Sequence, residues 1–468
     1  MYLHWREIVL ISYSDLSRHY RELFRLATPI VLARSGIIVM STVDMIMVGR
    51  FSSDEIAFLS IGYSLIMPMV VIGLGLLTGT LVLTANRFGA GEAHCCGGIW
   101  RASLPYALFI GLIGLVISQA GEFILLAFSQ SDELVSHGGR IMQITGLGLP
   151  AFMVLLTTAF FLEGIKRPVP WMIVMIVANV VNLILNWIFI FGALGMQPMG
   201  AEGAAWATTI ARYLSVFLLV GYVLWMRDHQ VYSVRGRIWA PLRIWARQRR
   251  IGFAASICLS TETISFAIIN IFAGWIGVLP LAAFGITFNL ITMVFMVTLG
   301  LGAATSVRVG IAHGAGKHAD LAWSGWTGLG VNTISMVGLG ILFFLFADLL
   351  AGVFTQDPLL IQTAAPMIAF TGIILVVDGG QGIMINALRG RQDIWIPSII
   401  QLFAFFVIMI PAVYFIAFSA KQGAMGLMEG ILIGSLLSSV LLIWRFYLLT
   451  LDDAGRKSVL ARSYSGKT

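Results

Sequence analysis

Residues 169–194 read VPWMIVMIVANVVNLILNWIFIFGAL, a run without a single Asp, Glu, Lys or Arg. About 20 apolar residues in a helix cross the hydrocarbon core of a bilayer, whereas a transmembrane strand needs only about ten and alternates in polarity. This run is too long and too evenly apolar for a strand. In lipid its backbone groups can pair only with one another, so it must be helical. Comparable stretches fall at about 26–49, 56–83, 103–127, 140–162, 203–226, 251–276, 279–305, 323–347, 362–387, 396–418 and 424–447. The expected fold is an all-α polytopic membrane protein with twelve transmembrane helices.

Composition excludes the alternatives. Of 468 residues, 59% are hydrophobic and 11% are charged, whereas a soluble domain carries about 25% charged residues. That rules out a soluble enzyme, a disordered chain and a secreted disulfide scaffold. Cys95 and Cys96 are adjacent and Cys258 lies in an apolar run, which gives neither a disulfide framework nor zinc spacing. Arg6, Glu7, Asp15, Arg18, Arg21, Glu22 and Arg25 leave no apolar core for a signal peptide near the start. The net charge of +7 points to basic loops facing anionic lipid, not to nucleic acid.

Those basic residues fall on one side. Alternate loops carry Arg87 and Arg101, then Lys166 and Arg167, then Arg227, Arg235, Arg237, Arg243, Arg247, Arg249 and Arg250. The same side continues with Arg308 and Lys317, Arg389 and Arg391, and ends with Arg456, Lys457, Arg462 and Lys467. The opposite loops hold little beyond Arg50 and Lys421. The positive-inside rule places both termini in the cytoplasm.

The chain also resembles itself at an offset of 225–226 residues. Gly89 and Gly91 in NRFGAGEA match Gly314 and Gly316 in IAHGAGKH, Thr145 and Gly146 match Thr371 and Gly372, Gly164 matches Gly390, and Gly49 matches Gly274. Each half holds six spans and enters the membrane in the same direction, as in transporters built from parallel repeats. The expected division is a cytoplasmic segment 1–25, an N-lobe 26–226, a basic linker 227–250, a C-lobe 251–447 and a cytoplasmic tail 448–468. A cavity at the lobe interface is then the expected site, with rocking of the lobes giving alternating access.

Charges at mid-bilayer cost roughly 2.5–3.5 kcal/mol each on insertion scales, so each asks for a reason. Asp44, Glu262 and Asp378 all sit well inside apolar runs. Embedded carboxylates can hold a dehydrated cation or carry a proton; the alternative is a structural acid paired with Arg34 or Arg212. At the repeat offset the acids match Ile269, Ile37 and Phe152 respectively, and packing needs would be shared by both halves where an ion site need not be. Arg34 either snorkels toward the cytoplasm or counters Asp44, although ten residues of helix, about 15 Å, is too far for direct contact. Asn179, Asn182 and Asn186 recur at three- and four-residue steps and form one polar stripe. It serves either cavity lining or interhelical hydrogen bonding. The 13 Trp, 30 Phe and 21 Met allow an adaptable apolar pocket with cation–π faces.

The chain resembles the multidrug and toxic compound extrusion (MATE) family, and within it the NorM-like branch. The resemblance is carried by VDMIMVGR, NRFGAGE, EGIKRPVP, NVVNLILNWIFIFG, TETISF, MVFMVTLGLGAATSVRVG and DGGQGIMINALRGRQDIWIP, in order from about Arg21 to Leu449. It implies a V-shaped, two-lobed carrier in a bacterial-type inner membrane that exports organic cations and drugs in exchange for Na+ or H+. It is sufficient as a monomer surrounded by lipid, and has no cofactor beyond the coupling ion. Residue by residue, Asp44 matches the family's span-one acid, and Glu262 and Asp378 match the C-lobe acids that could hold Na+. Phe295 falls where an aromatic residue near the cation site is expected, and Arg34, Asn179, Asn182 and Asn186 are the remaining cavity candidates. The sequence departs from the family at Asn186, where the DinF-like branch often has Asp. It departs again at Ala283, Phe284 and Gly285, where NorM-like members often read AHQ.

A lipid-linked precursor flippase of the same superfamily is the alternative reading; it would need a basic cavity, for which only Arg34 and Arg212 are candidates. No filter-like motif suggests a channel. An enzyme is disfavoured, since no H-E-x-x-H, Walker motif or nucleophile triad is present.

Overall fold

The structure, a computed structural model, describes residues 13–128, 131–236 and 242–465. Arg6 and Glu7 near the start, Arg237 in the basic segment and Lys467 in the tail lie outside the described residues. Among those described, every regular element is helical. In chain order these are α1 (Tyr13–Phe51), α2 (Ser53–Ser64), α3 (Ile66–Gly89), α4 (Ala93–Gln119), α5 (Gly121–Ala127), α6 (Asp132–Leu147), α7 (Leu149–Gly164) and α8 (Val169–Phe191). They continue with α9 (Gly200–Trp225), α10 (Leu242–Ile276), α11 (Val278–Gly314), α12 (His318–Leu345), α13 (Ala347–Phe354) and α14 (Pro358–Gly390). The last two are α15 (Trp395–Ser419) and α16 (Ala424–Ser465).

Eleven spans among the described residues are long and apolar enough to cross a membrane, and the bent pair α6–α7, counted as one, brings the number to twelve. The 42° bend falls at Gly148, two residues before Pro150, which has no N–H to continue the helical ladder. Span α15 holds two π-helical stretches, Phe403–Met409 and Phe415–Ser419, on either side of Pro411, which cannot donate to the ladder.

The chain forms two compact units: Pro29–Ser260, and Thr261 onward together with the residues up to Thr28. Both boundaries fall inside helices, α1 and α10, and not at the loop expected to link two lobes. The described part of the basic segment 227–250 belongs to the N-terminal unit. The amide of Gly97 donates to Tyr232 O at 2.9 Å, Arg101 donates to Ser233 O, and Arg167 pairs with Asp228. Gln248, only 2% exposed, donates to Thr80 Oγ1 at 2.7 Å and to Ser103 Oγ. A buried amide whose hydrogen bonds are met in one place fixes the segment there, since leaving it unpaired would cost about 1–3 kcal/mol.

The C-terminal unit uses the opening turns of α1 in the same manner. Arg308, buried in α11, donates to Thr327 Oγ1 at 3.2 Å and meets His19, with Glu22 3.9 Å from its Nε. Arg18 reaches Asp320 at 3.4 Å. Glu22 and Gln248 are separated by the repeat offset, so each half of the chain begins with a helix whose first turns are pinned by a polar side chain.

In the N-terminal unit, α3 and α10 approach backbone to backbone. A Cβ on Gly252 would lie 1.9 Å from Leu76 O, and one on Gly75 or Gly79 would lie 2.4 Å from Ser256 Cα or 2.3 Å from Gln248 O. Small residues four apart let membrane helices pack at this closeness. Gly252→Ala is expected to push α10 off α3 and lower the stability of the purified protein by about 1–3 kcal/mol. Thermal unfolding in detergent, read by Trp fluorescence, checks this; an unchanged midpoint would show that the contact yields without strain.

Candidate functional site

In the N-terminal unit α1 carries Asp44 to a position with no solvent exposure. Its carboxylate is held by neutral donors from three other helices. Asn186 Nδ2 on α8 donates to Oδ1 at 2.7 Å. Thr208 Oγ1 on α9 donates to Oδ2 at 2.6 Å, and the Tyr63 hydroxyl on α2 approaches Oδ2 at 3.4 Å. Asn182 donates in turn through Nδ2 to Thr208 Oγ1 at 3.1 Å and accepts at Oδ1 from Asn186 Nδ2 at 3.2 Å. Hydrogen bonds to an ionised acceptor are about twice as strong as neutral ones, which lets this carboxylate stay buried without a cation in contact. The Arg212 charge reaches it through space. That guanidinium itself lies over the Phe152 ring, 5.1 Å from its centroid, with Nη1 unpartnered.

The asparagine stripe divides. Asn182 and Asn186 join the Asp44 network, while Asn179 turns to the backbone, donating to Gly36 O at 3.0 Å and Met175 O at 2.8 Å. Asn179 thus ties α8 to α1, and its Oδ1 is buried without a partner.

Arg34 neither snorkels nor meets Asp44. Its Nη2 lies 3.4 Å from Glu163 Oε2, and its guanidinium sits 5.8 Å from the centroid of Phe160. Glu163, at the last turn of α7, has no exposure at all. Glu163 falls one residue beyond the expected span 140–162, so the sequence does not single it out as an intramembrane charge. Its place one repeat before Arg389, also buried, is the signal that could have found it.

In the C-terminal unit Asp378 on α14 is 6% exposed and accepts one hydrogen bond, from Ser435 Oγ on α16 at 3.2 Å. Glu262 on α10 accepts one, from Gln401 Nε2 on α15 at 3.4 Å. The two acids feel each other's charge, and Arg389 lies within electrostatic reach of Glu262. Oxygen atoms without partners lie on the same helix faces: Gln381 Oε1 and Ser438 Oγ, one turn beyond Asp378 and Ser435, and Ser265 Oγ, one turn beyond Glu262. Phe295 on α11 is half-buried, one turn before Thr298, which donates to Asn332 Oδ1 at 3.1 Å. Phe284 is buried and stacks on Phe288 at 6.0 Å, so the departure at that position adds to the apolar core. Tyr63, Thr208, Gln401 and Ser435 were missed because single hydroxyls and amides in apolar helices carry no signal of their own.

Comparison with known proteins bears on the family and the fold. The chain is 33% identical over 433 residues to the probable multidrug resistance protein NorM of Caulobacter vibrioides, covering 92% of each. It is 29% identical to the multidrug resistance protein PmpM of Pseudomonas aeruginosa, covering 91% of this chain and 90% of that one. The fold is shared with a crystal structure of MATE in the bent conformation (TM-score 0.87, 19% identity, 94% of this chain and 97% of that one). It is shared too with the eukaryotic MATE transporter AtDTX14 (TM-score 0.84, 17% identity, 94% and 99%). The MatE family model matches twice, at residues 29–188 and 254–415, and the two matches begin one repeat offset apart. The chain therefore belongs to the MATE family and is a multi-pass membrane transporter, not an enzyme.

Proposed function

We propose that this protein exports organic cations and other drugs in exchange for Na+ or H+, from a bacterial inner membrane with both termini in the cytoplasm, and that it works as a monomer. The observation that carries the reading is that the three intramembrane acids, buried Asp44 and Asp378 and half-buried Glu262, receive hydrogen bonds from neutral groups only among the described residues. A carboxylate locked to a basic side chain is spent, whereas one held by hydroxyls and amides keeps its charge for a cation that comes and goes. In this reading Glu262 and Asp378, with the oxygens of Gln381 and Ser438, bind the coupling ion. Asp44 with Asn182 and Asn186 presents a second negative site, and Phe295 offers an aromatic face to an organic cation. Names of the relatives, multidrug resistance proteins, support the substrate class.

Coupling follows if ion and drug favour opposite-facing states, because a ligand shifts an equilibrium only by its differential affinity. A flippase for anionic lipid-linked precursors is less well supported, since of the two basic candidates Arg34 is already neutralised by Glu163. The test is uptake of a fluorescent lipophilic cation into proteoliposomes under a sodium gradient and a pH gradient imposed separately. Uptake under one of them is expected and names the ion; none under either, with folded protein, would overturn the reading.

A further inference from the structure

The Arg34–Glu163 pair has no part in the coupling scheme, yet it places two opposite charges inside the N-terminal unit. Arg34 is 8% exposed and Glu163 not at all. Their contact is a single one, at 3.4 Å, with Arg34 Nε and Glu163 Oε1 left unpartnered. A buried, one-pronged pair is poor glue, because the cost of taking two ions from water offsets much of their attraction. Its electrical consequence is larger. Arg34 stands ten residues before Asp44 on α1, about 15 Å along the helix, and two residues before Gly36, where Asn179 begins the polar stripe. Arg212 already sets one positive charge against Asp44. Without Glu163 the buried charge of the unit would be net positive. In the C-terminal unit the signs are exchanged on the repeat-equivalent helices, without a contact: Arg389, one repeat after Glu163, acts through space on Glu262 of α10.

We propose that Glu163 is a specificity-determining residue: by cancelling Arg34 it keeps the N-terminal unit receptive to organic cations and closed to organic anions. This rests on the cation-export reading and deepens it. At an effective dielectric of about 20, one unit charge about 15 Å away changes the affinity for a monovalent ion about sixfold. The change runs in opposite directions for a cation and an anion, so the preference between them moves roughly fortyfold.

The experiment compares proteoliposome uptake of a monovalent fluorescent cation and a monovalent fluorescent anion of similar size. The proteins are the wild type, Glu163→Gln, and the double variant Arg34→Gln with Glu163→Gln. In Glu163→Gln the cation-to-anion ratio is expected to fall roughly fortyfold, and in the double variant to return to the wild-type value. Parallel loss of both probes, or an unchanged ratio, overturns the proposal and leaves the pair a packing contact. A wild type that moves no cation would sink the export reading instead, so the two failures are distinct. Should Glu163→Gln fail to insert, Arg34→His with Glu163→Gln decides: it assembles neutral, and acidification charges the imidazole. Its ratio is then expected to fall between pH 8 and pH 5 relative to the all-glutamine double variant, and no such fall overturns the proposal.

Discussion

Asp378→Asn is expected to abolish gradient-driven accumulation of the cation probe while leaving the protein folded and inserted. Asparagine has the shape of aspartate and keeps an oxygen to accept from Ser435, which sits 3.2 Å away, so the contact between α14 and α16 survives. The charge does not. Each coupling ion moving down 100 mV supplies about 2.3 kcal/mol, and losing one removes a factor of about fifty from the attainable concentration ratio. Glu262→Gln should have a similar effect, because the two acids share one electrostatic environment. Accumulation that is unchanged in both variants would show that the ion is bound elsewhere.

Asp44→Asn is expected to reduce both transport and stability, a combination that separates it from Asp378→Asn. Asp44 accepts at both oxygens, from Asn186 at 2.7 Å and Thr208 at 2.6 Å. A carboxamide can accept at only one. Its NH2 would face either the Asn186 amide, itself a donor there, or Thr208, whose hydroxyl hydrogen then loses the oxygen it donates to. One buried donor is then left unmet, which costs about 1–3 kcal/mol. Thermal unfolding should therefore shift downward in Asp44→Asn, and accumulation of the cation probe should fall with it. A variant as stable as the wild type would mean that the network relaxes around the amide, and normal transport would remove Asp44 from the site.

Much of this was legible in the chain, for identifiable reasons. Apolar runs longer than a bilayer is thick leave one solution for the backbone, so the helices and their number could be read directly. Asp44, Glu262 and Asp378 stood out because a charge in such a run is expensive. Three- and four-residue spacing put Asn182 and Asn186 on one face, and the structure brings both to Asp44. Spacing could not show that Asn179 turns instead to the α1 backbone at Gly36. Arg34 exposed a second limit: its partner Glu163 lies 129 residues away, and helical periodicity says nothing about contacts between helices. The bounds of the compact units are beyond composition for a related reason. A basic segment resembles a linker by composition, but the side chain that docks it, Gln248, is an uncharged residue with no distinctive neighbours.

The placement of the α1 and α10 boundaries bears on how the protein is made. Synthesis proceeds from the N-terminus and domains generally fold as they emerge; here only the contiguous unit Pro29–Ser260 can be finished on that schedule. The opening turns of α1 must wait for Arg308 and Asp320, made some three hundred residues later. The N-terminal unit has its six spans in place before Gln248 arrives to fill the groove at Thr80 and Ser103. A nascent chain halted after α9 would leave Gly75 and Gly79 without the α10 backbone that covers them. Arrival of the first turns of α10, and not completion of the second half, is thus the event that closes the first half.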